Sequence, residues 1–133
     1  MILLNFAFMK NDGNSLSARI RSFRYAFRGI ATLFRDERNF KIHCVLLVIA
    51  VALGIVLGIS PAEWCVVALC CGGVLMGEAL NSAVEALCDL VSPKYHPLIK
   101  KAKDVAAAGV LMMAFAAATC GIIIFLPKII DLL

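Results

Sequence analysis

Residues 64–90 read WCVVALCCGGVLMGEALNSAVEALCDL, and the two halves of that stretch carry opposite messages. The first half is uncharged and oily as far as Gly77. The second half places Glu78, Asn81, Glu85 and Asp89 at i, i+3, i+7 and i+11. At about 100° per residue these four positions fall within about 80° of one another on a helix. The stretch is long enough to cross a bilayer, and it carries one polar stripe. An acid at the bilayer centre costs about 2.5–3.5 kcal/mol on insertion scales, and less towards an interface. Three acids on one face, with no basic residue on the same stretch, exceed what hydrogen bonding between helices needs. The stripe is therefore read as a polar cleft that handles protons, cations or phosphate.

The rest of the chain is built to match. It has 133 residues, 62% of them hydrophobic, and the apolar residues come in long blocks. Residues 42–59, IHCVLLVIAVALGIVLGI, contain no Asp, Glu, Lys or Arg. A helix of that length spans about 27 Å, close to the hydrocarbon thickness. Residues 105–126 form another uncharged block. The expectation is one all-α integral membrane domain over 1–133, with a surface helix at 15–36 and transmembrane helices at 42–59, 63–90 and 99–126. The opening MILLNFAFMK has neither a basic start nor a cleavage site, so no signal peptide is expected. Met9 is a second candidate start.

Charge sets the expected orientation. Basic residues precede the first span, from Lys10 to Lys41, and recur at Lys94, Lys100, Lys101 and Lys103. The turn between the first two spans has none. By the positive-inside rule the N-terminus and the 92–104 loop face the cytoplasm. The net charge of +4 then describes a cytoplasmic rim. It is not a nucleic-acid surface. In that turn Ser60, Pro61 and Glu63 supply an N-cap, an N1 proline and a capping-box acid, and Trp64 follows at interface depth.

The segment before the first span is a different kind of helix. Leu16, Ile20, Phe23, Phe27, Ile30 and Phe34 step by four and three, which makes one apolar stripe. Arg21, Arg24, Arg28 and Arg35 gather on another face. That is the pattern of a helix lying in the membrane surface, with arginines available for phosphate. The six cysteines all lie in apolar segments without CxxC or Cys/His metal spacing, and are read as packing residues. GIVLG (54–58) and GVLMG (73–77) are read as close-packing motifs. His43 is read as interfacial and His96 as a loop contact.

The chemistry follows from the residue types. Two carboxylates can share a hard cation such as Mg²⁺, which bridges to phosphate oxygens. A lysine at the membrane edge, such as Lys103 beside Asp104, can neutralise those oxygens. A carboxylate can take the proton of an alcohol. These parts suit phosphoryl transfer from a nucleotide to a lipid hydroxyl, with no G-x-x-x-x-G-K-[ST] loop in the chain. The rival reading is a small oligomeric ion-coupled transporter with Glu78 and Glu85 as cation sites. It predicts polar groups continuing towards the outside, and residues 64–77 supply none.

The run EALNSAVEALCDLVSPKYHPLIKKAKDVAAAGVL resembles the central signature of the prokaryotic diacylglycerol kinase family: E-x-x-N-[ST]-A-[IV]-E-x-x-x-D, a Tyr-His loop, then A-K-D. The resemblance covers most of the chain. It implies a small lipid kinase of the bacterial cytoplasmic membrane, working as a homotrimer with composite sites near the cytoplasmic interface, and using Mg²⁺ and ATP. By position it implies Glu78 as general base, Glu85 and Glu37 as metal ligands, and Asn81 and Asp89 as supporting groups. It implies nucleotide contacts from Tyr25, Lys94, Tyr95, His96, Lys103 and Asp104. The family has an acidic residue where this chain has Lys94. It has an arginine near residue 18, where this chain has alanine and where Arg19 or Arg21 can substitute in contacting lipid or phosphate. The pieces ERNFKIH and LVSPKYHPLIKKAKDVAAAGV look more like the branch acting on undecaprenol than the branch acting on diacylglycerol.

Overall fold

A computed structural model describes residues 16–92 and 94–132. These residues form four α-helices and no strand: α1 Leu16–Asp36, α2 Arg38–Val56, α3 Pro61–Val91 and α4 Pro97–Ile130. The last three are long and apolar enough to cross a membrane.

α1 carries the expected apolar stripe. Leu16, Phe23 and Phe27 are each about two-thirds exposed or more, and no residue of the helix is buried. A stripe of that kind needs an apolar surface to cover it. At its end the Arg35 guanidinium donates to both Asp36 carboxylate oxygens, at 2.8 and 2.9 Å. That hydrogen bond, then the Asp36 charge, pushes the Arg35 pKa above its ordinary value.

The expected span 42–59 is displaced towards the N-terminus. α2 begins at Arg38, directly after Glu37, whose extended backbone (φ −100°, ψ 114°) interrupts the helical path. It ends at Val56, because Gly58 turns the chain with φ +59°. Gly58 N–H donates to Ile55 O (3.3 Å) and Ile59 N–H to Gly54 O (3.1 Å), the paired bonds of a Schellman motif. Gly58 is thus a turn residue and not a packing residue as its GIVLG motif suggested. Gly54 does pack: a Cβ there would lie 2.8 Å from Trp64 Cη2.

α3 starts as the sequence predicts. Ser60 Oγ accepts from Glu63 N–H (3.3 Å) and Glu63 Oε2 accepts from Ser60 N–H (2.6 Å). Near this end Lys128 of α4 reaches Glu63 at 3.5 Å. Ile59, Val67 and Ile124 form the buried apolar cluster here, flanked by Trp64 and Phe125. Further along, Gly73 and Gly77 face α4. A Cβ on Gly73 would meet Met113, and one on Gly77 would lie 3.7 Å from the Val110 Cα.

α3 is the central helix: 28% of its most apolar window is buried, against 11% for α2 and for α4. At 1.5 Å per residue, the 31 residues of α3 and the 34 of α4 run about 46 and 51 Å, well beyond a hydrocarbon core of about 30 Å. The expected bounds 63–90 and 99–126 fall within these helices, one or two residues short of the α3 ends and two to four short of the α4 ends.

Candidate active site

The polar stripe exists, and it is graded by depth. On α3 the buried face runs Val67, Val74, Glu78, Asn81 and Cys88. Glu78 is 3% exposed and Asn81 9%. Glu85 is half-buried, and Asp89 is exposed at the edge of the same face.

Each member has a distinct environment. Among the described residues none donates a hydrogen bond or forms an ion pair to the Glu78 carboxylate. Asn81 Nδ2 donates to Glu85 Oε1 at 2.9 Å, one helical turn away, and orients that carboxylate. Asn81 Oδ1 and the adjacent Ser82 Oγ are buried and have no partner among the described residues. A buried acceptor left unpaired costs about 1–3 kcal/mol, and a buried carboxylate more. The unpaired Asn81 Oδ1 lies one turn from Glu78 on the same helix face, where a polar ligand would satisfy it. Asn81 also lines a cavity of about 400 Å³ between α3 and α4, with Gly77, Leu80 and Val105.

α4 supplies the opposite charge. Lys103 Nζ donates to Asp89 Oδ1 at 2.5 Å, bridging α3 and α4. The neighbouring Asp104 pairs with Lys100, one turn back on its own helix. Lys103 and Asp104, adjacent in sequence, therefore engage different partners, because consecutive helical residues point about 100° apart.

The loop before α4 is held locally. Ser92 Oγ donates to the Lys94 carbonyl at 2.9 Å. His96 is the N-cap of α4: its Nδ1 accepts from Leu98 N–H at 3.2 Å, with Pro97 at N1. The Lys94 and Tyr95 side chains are exposed. Glu37 is the half-buried residue at the start of α2, and its side chain makes no capping hydrogen bond.

On α1, Arg19, Arg21 and Tyr25 are all exposed, and the Arg24 guanidinium lies 6.0 Å from the Tyr25 ring centre. Among the described residues no three His, Cys, Asp or Glu side chains converge as a metal site. Sequence reasoning missed the Asp89–Lys103 bridge. The two residues are 14 apart across a loop, and only the packing register of α3 on α4 brings them together.

Comparison with known proteins identifies the family. Residues 24–125 match the family described as prokaryotic diacylglycerol kinase. The chain is 39% identical over 120 residues to the undecaprenol kinase of Bacillus subtilis, covering 90% of this chain and 98% of that protein. It is 39% identical over 113 residues to a diacylglycerol kinase of Synechocystis, covering 84% of this chain and 65% of that protein. Against the diacylglycerol kinase of Escherichia coli K12 it is 28% identical over 109 residues, covering 82% and 89%. The chain belongs to the prokaryotic diacylglycerol kinase family and is a lipid kinase that uses ATP as co-substrate.

Proposed function

We propose that this protein phosphorylates the hydroxyl of a single-chain membrane alcohol, undecaprenol, at the cytoplasmic face of the bacterial inner membrane. The observation that carries the reading is the Glu78 carboxylate, 3% exposed and without a hydrogen-bond or ion-pair partner among the described residues, on the helix face that leads to the Asp89–Lys103 bridge. An enzyme that deprotonates an alcohol at the lipid boundary needs such a base, poised and screened from water. The relative from Bacillus subtilis supports undecaprenol as acceptor. Diacylglycerol is the alternative, and the relatives from Synechocystis and Escherichia coli support it.

The steps assign one task to each group. Glu78 takes the hydroxyl proton as the lipid oxygen bonds to the γ-phosphorus of ATP. The bond from that phosphorus to the β–γ bridging oxygen breaks, and ADP and the lipid phosphate leave. Lys103, oriented by Asp89, offsets phosphate charge. Asp104, Lys94, Tyr95, His96 and Tyr25 hold the nucleotide, and Arg19 or Arg21 meets lipid or phosphate.

The donor set suits Mg²⁺, which takes hard oxygens and keeps several waters. Glu85, held by the Asn81 amide, and Glu37 would hold it, and the unpaired Asn81 Oδ1 is a further oxygen on that face. The ion would neutralise charge on the phosphates. A homotrimer whose sites are shared between copies is the assembly that membership of the family favours. Basic residues around the loop before α4 and ahead of α2 support a cytoplasmic N-terminus.

The test is direct. Purified protein in nanodiscs receives Mg·ATP with undecaprenol or diacylglycerol, and lipid phosphate is measured. The reading predicts faster turnover of undecaprenol. Faster turnover of diacylglycerol would move the assignment to the alternative, and no lipid phosphate from either would overturn it.

A further inference from the structure

Outside the polar stripe, α2, α3 and α4 line an apolar slot of about 310 Å³. Its walls are made of small residues, among them Ala50, Ala114, Ala117, Ala118 and Gly121. On α3 it is lined by Val67, Cys70, Cys71 and Val74. Taken at 100° per residue, Val67 and Val74 lie within about 40° of Glu78 around the helix. Val74 is one turn, about 6 Å, from Glu78 along the axis. Val67 and Val74 thus place part of the slot's α3 wall on the helix face that carries Glu78, which is not itself in the lining.

The two ends of the slot differ. At the end near the α2–α3 turn the walls are Val67, Ile124 and Phe125. At the end nearest Glu78 they are Val74, Ala114 and His43. His43 is the one strong hydrogen-bonding side chain in the lining, since its neutral ring offers a donor and an acceptor and the cysteine thiols are weak. A channel that is greasy for most of its length, and polar only at the end beside a proton acceptor, has the polarity of a long-chain alcohol.

We propose that this slot holds the first part of one prenyl chain of a polyprenol, with His43 as the positioning residue where the chain meets its oxygen-bearing head. The proposal rests on the lipid kinase reading and names the part of the substrate that the slot selects. A cavity of about 310 Å³ lies at the bottom of the range for small-molecule pockets. It admits a segment of one chain and leaves the remainder in the bilayer. A two-chain glyceride would have to part its chains to use it.

The slot's own cysteines provide a probe in the wild-type protein. Cys70, Cys71 and Cys120 line it, whereas Cys65 is exposed and lies outside the lining. In nanodiscs, alkylation by N-ethylmaleimide is read by mass spectrometry with and without undecaprenol. Undecaprenol is expected to slow labelling of the three slot cysteines at least fivefold and to leave Cys65 unchanged, with a smaller effect from diacylglycerol.

Kinetics provide the second arm. Filling the slot with Ala117→Phe is expected to raise KM for undecaprenol at least tenfold with KM for ATP unchanged. His43→Leu is expected to raise KM for the lipid about tenfold, and His43→Gln to recover most of that loss. Active wild-type protein with unprotected slot cysteines and an unchanged lipid KM in Ala117→Phe would overturn the proposal. So would dissociation of the oligomer by Ala117→Phe with unprotected slot cysteines, which would assign the slot to a second copy. Equal protection by diacylglycerol would overturn the single-chain assignment. Wild-type protein that phosphorylates no lipid alcohol would instead overturn the kinase reading on which the slot depends.

Discussion

Replacing Asp89 with Asn tests whether the bridge from α3 orients Lys103 for phosphate or restrains it. The pair is partly exposed, with Lys103 33% and Asp89 67% accessible. A pair of that exposure contributes about 0–1 kcal/mol to stability, so the variant should fold and assemble normally. Its kinetic effect should be larger. Nζ lies 2.5 Å from Oδ1, a charge-assisted bond that fixes the direction of the ammonium from the neighbouring helix. If that interaction holds the ammonium where phosphate charge develops, its loss lowers kcat/KM for ATP by roughly 10- to 100-fold. KM for the lipid should be unchanged, because Glu78 lies eleven residues away along α3. The assay is initial-rate phosphorylation at saturating lipid with ATP varied, beside a melting curve in the same detergent. An unchanged or lowered KM for ATP in Asp89→Asn would refute the reasoning, since Asp89 would then be idle or a competitor of the nucleotide.

Other consequences follow from the same structure. Gly58→Ala forces an L side chain into φ +59°, costing roughly 1 kcal/mol, so it should lower the melting midpoint and leave kcat intact. Ser60→Ala removes one half of the α3 capping box and should cost about 0.5–2 kcal/mol by denaturant titration, again without changing kcat. Glu85→Gln should raise the Mg²⁺ concentration needed for half-maximal activity at least tenfold, measured by metal titration at fixed ATP. An unchanged Mg²⁺ requirement would remove Glu85 from the metal site.

Periodicity made α3 legible. The stripe of Glu78, Asn81, Glu85 and Asp89 needed only 3.6 residues per turn, and the structure buries Glu78 and Asn81, half-buries Glu85 and leaves Asp89 at the exposed edge. The Ser60–Glu63 capping box was legible because it is a local exchange of hydrogen bonds. Helix ends were less so. The span read as 42–59 counts uncharged residues, which report the hydrocarbon. α2 runs Arg38–Val56 because its backbone bonds start at Glu37 and are closed by Gly58, and neither event depends on hydropathy. α4 likewise continues through Pro127 and Lys128 to Ile130. Partners across helices were illegible. That Lys103 meets Asp89 while Asp104 meets Lys100 depends on how α4 is rotated against α3, and the spacing of charges within either helix carries no such information. The depth gradient from buried Glu78 to exposed Asp89 is legible only once both helices are known to outrun the bilayer.

The central claim is that Glu78 is the base that accepts the lipid proton. The most direct measurement is transfer of the γ-phosphate from labelled ATP to undecaprenol by wild-type protein and by Glu78→Gln, at matched oligomeric state and saturating Mg²⁺. General-base removal predicts a fall in kcat of about 10²–10⁴-fold with ATP binding retained. A Glu78→Gln protein that keeps kcat within a few-fold of wild type would contradict the account.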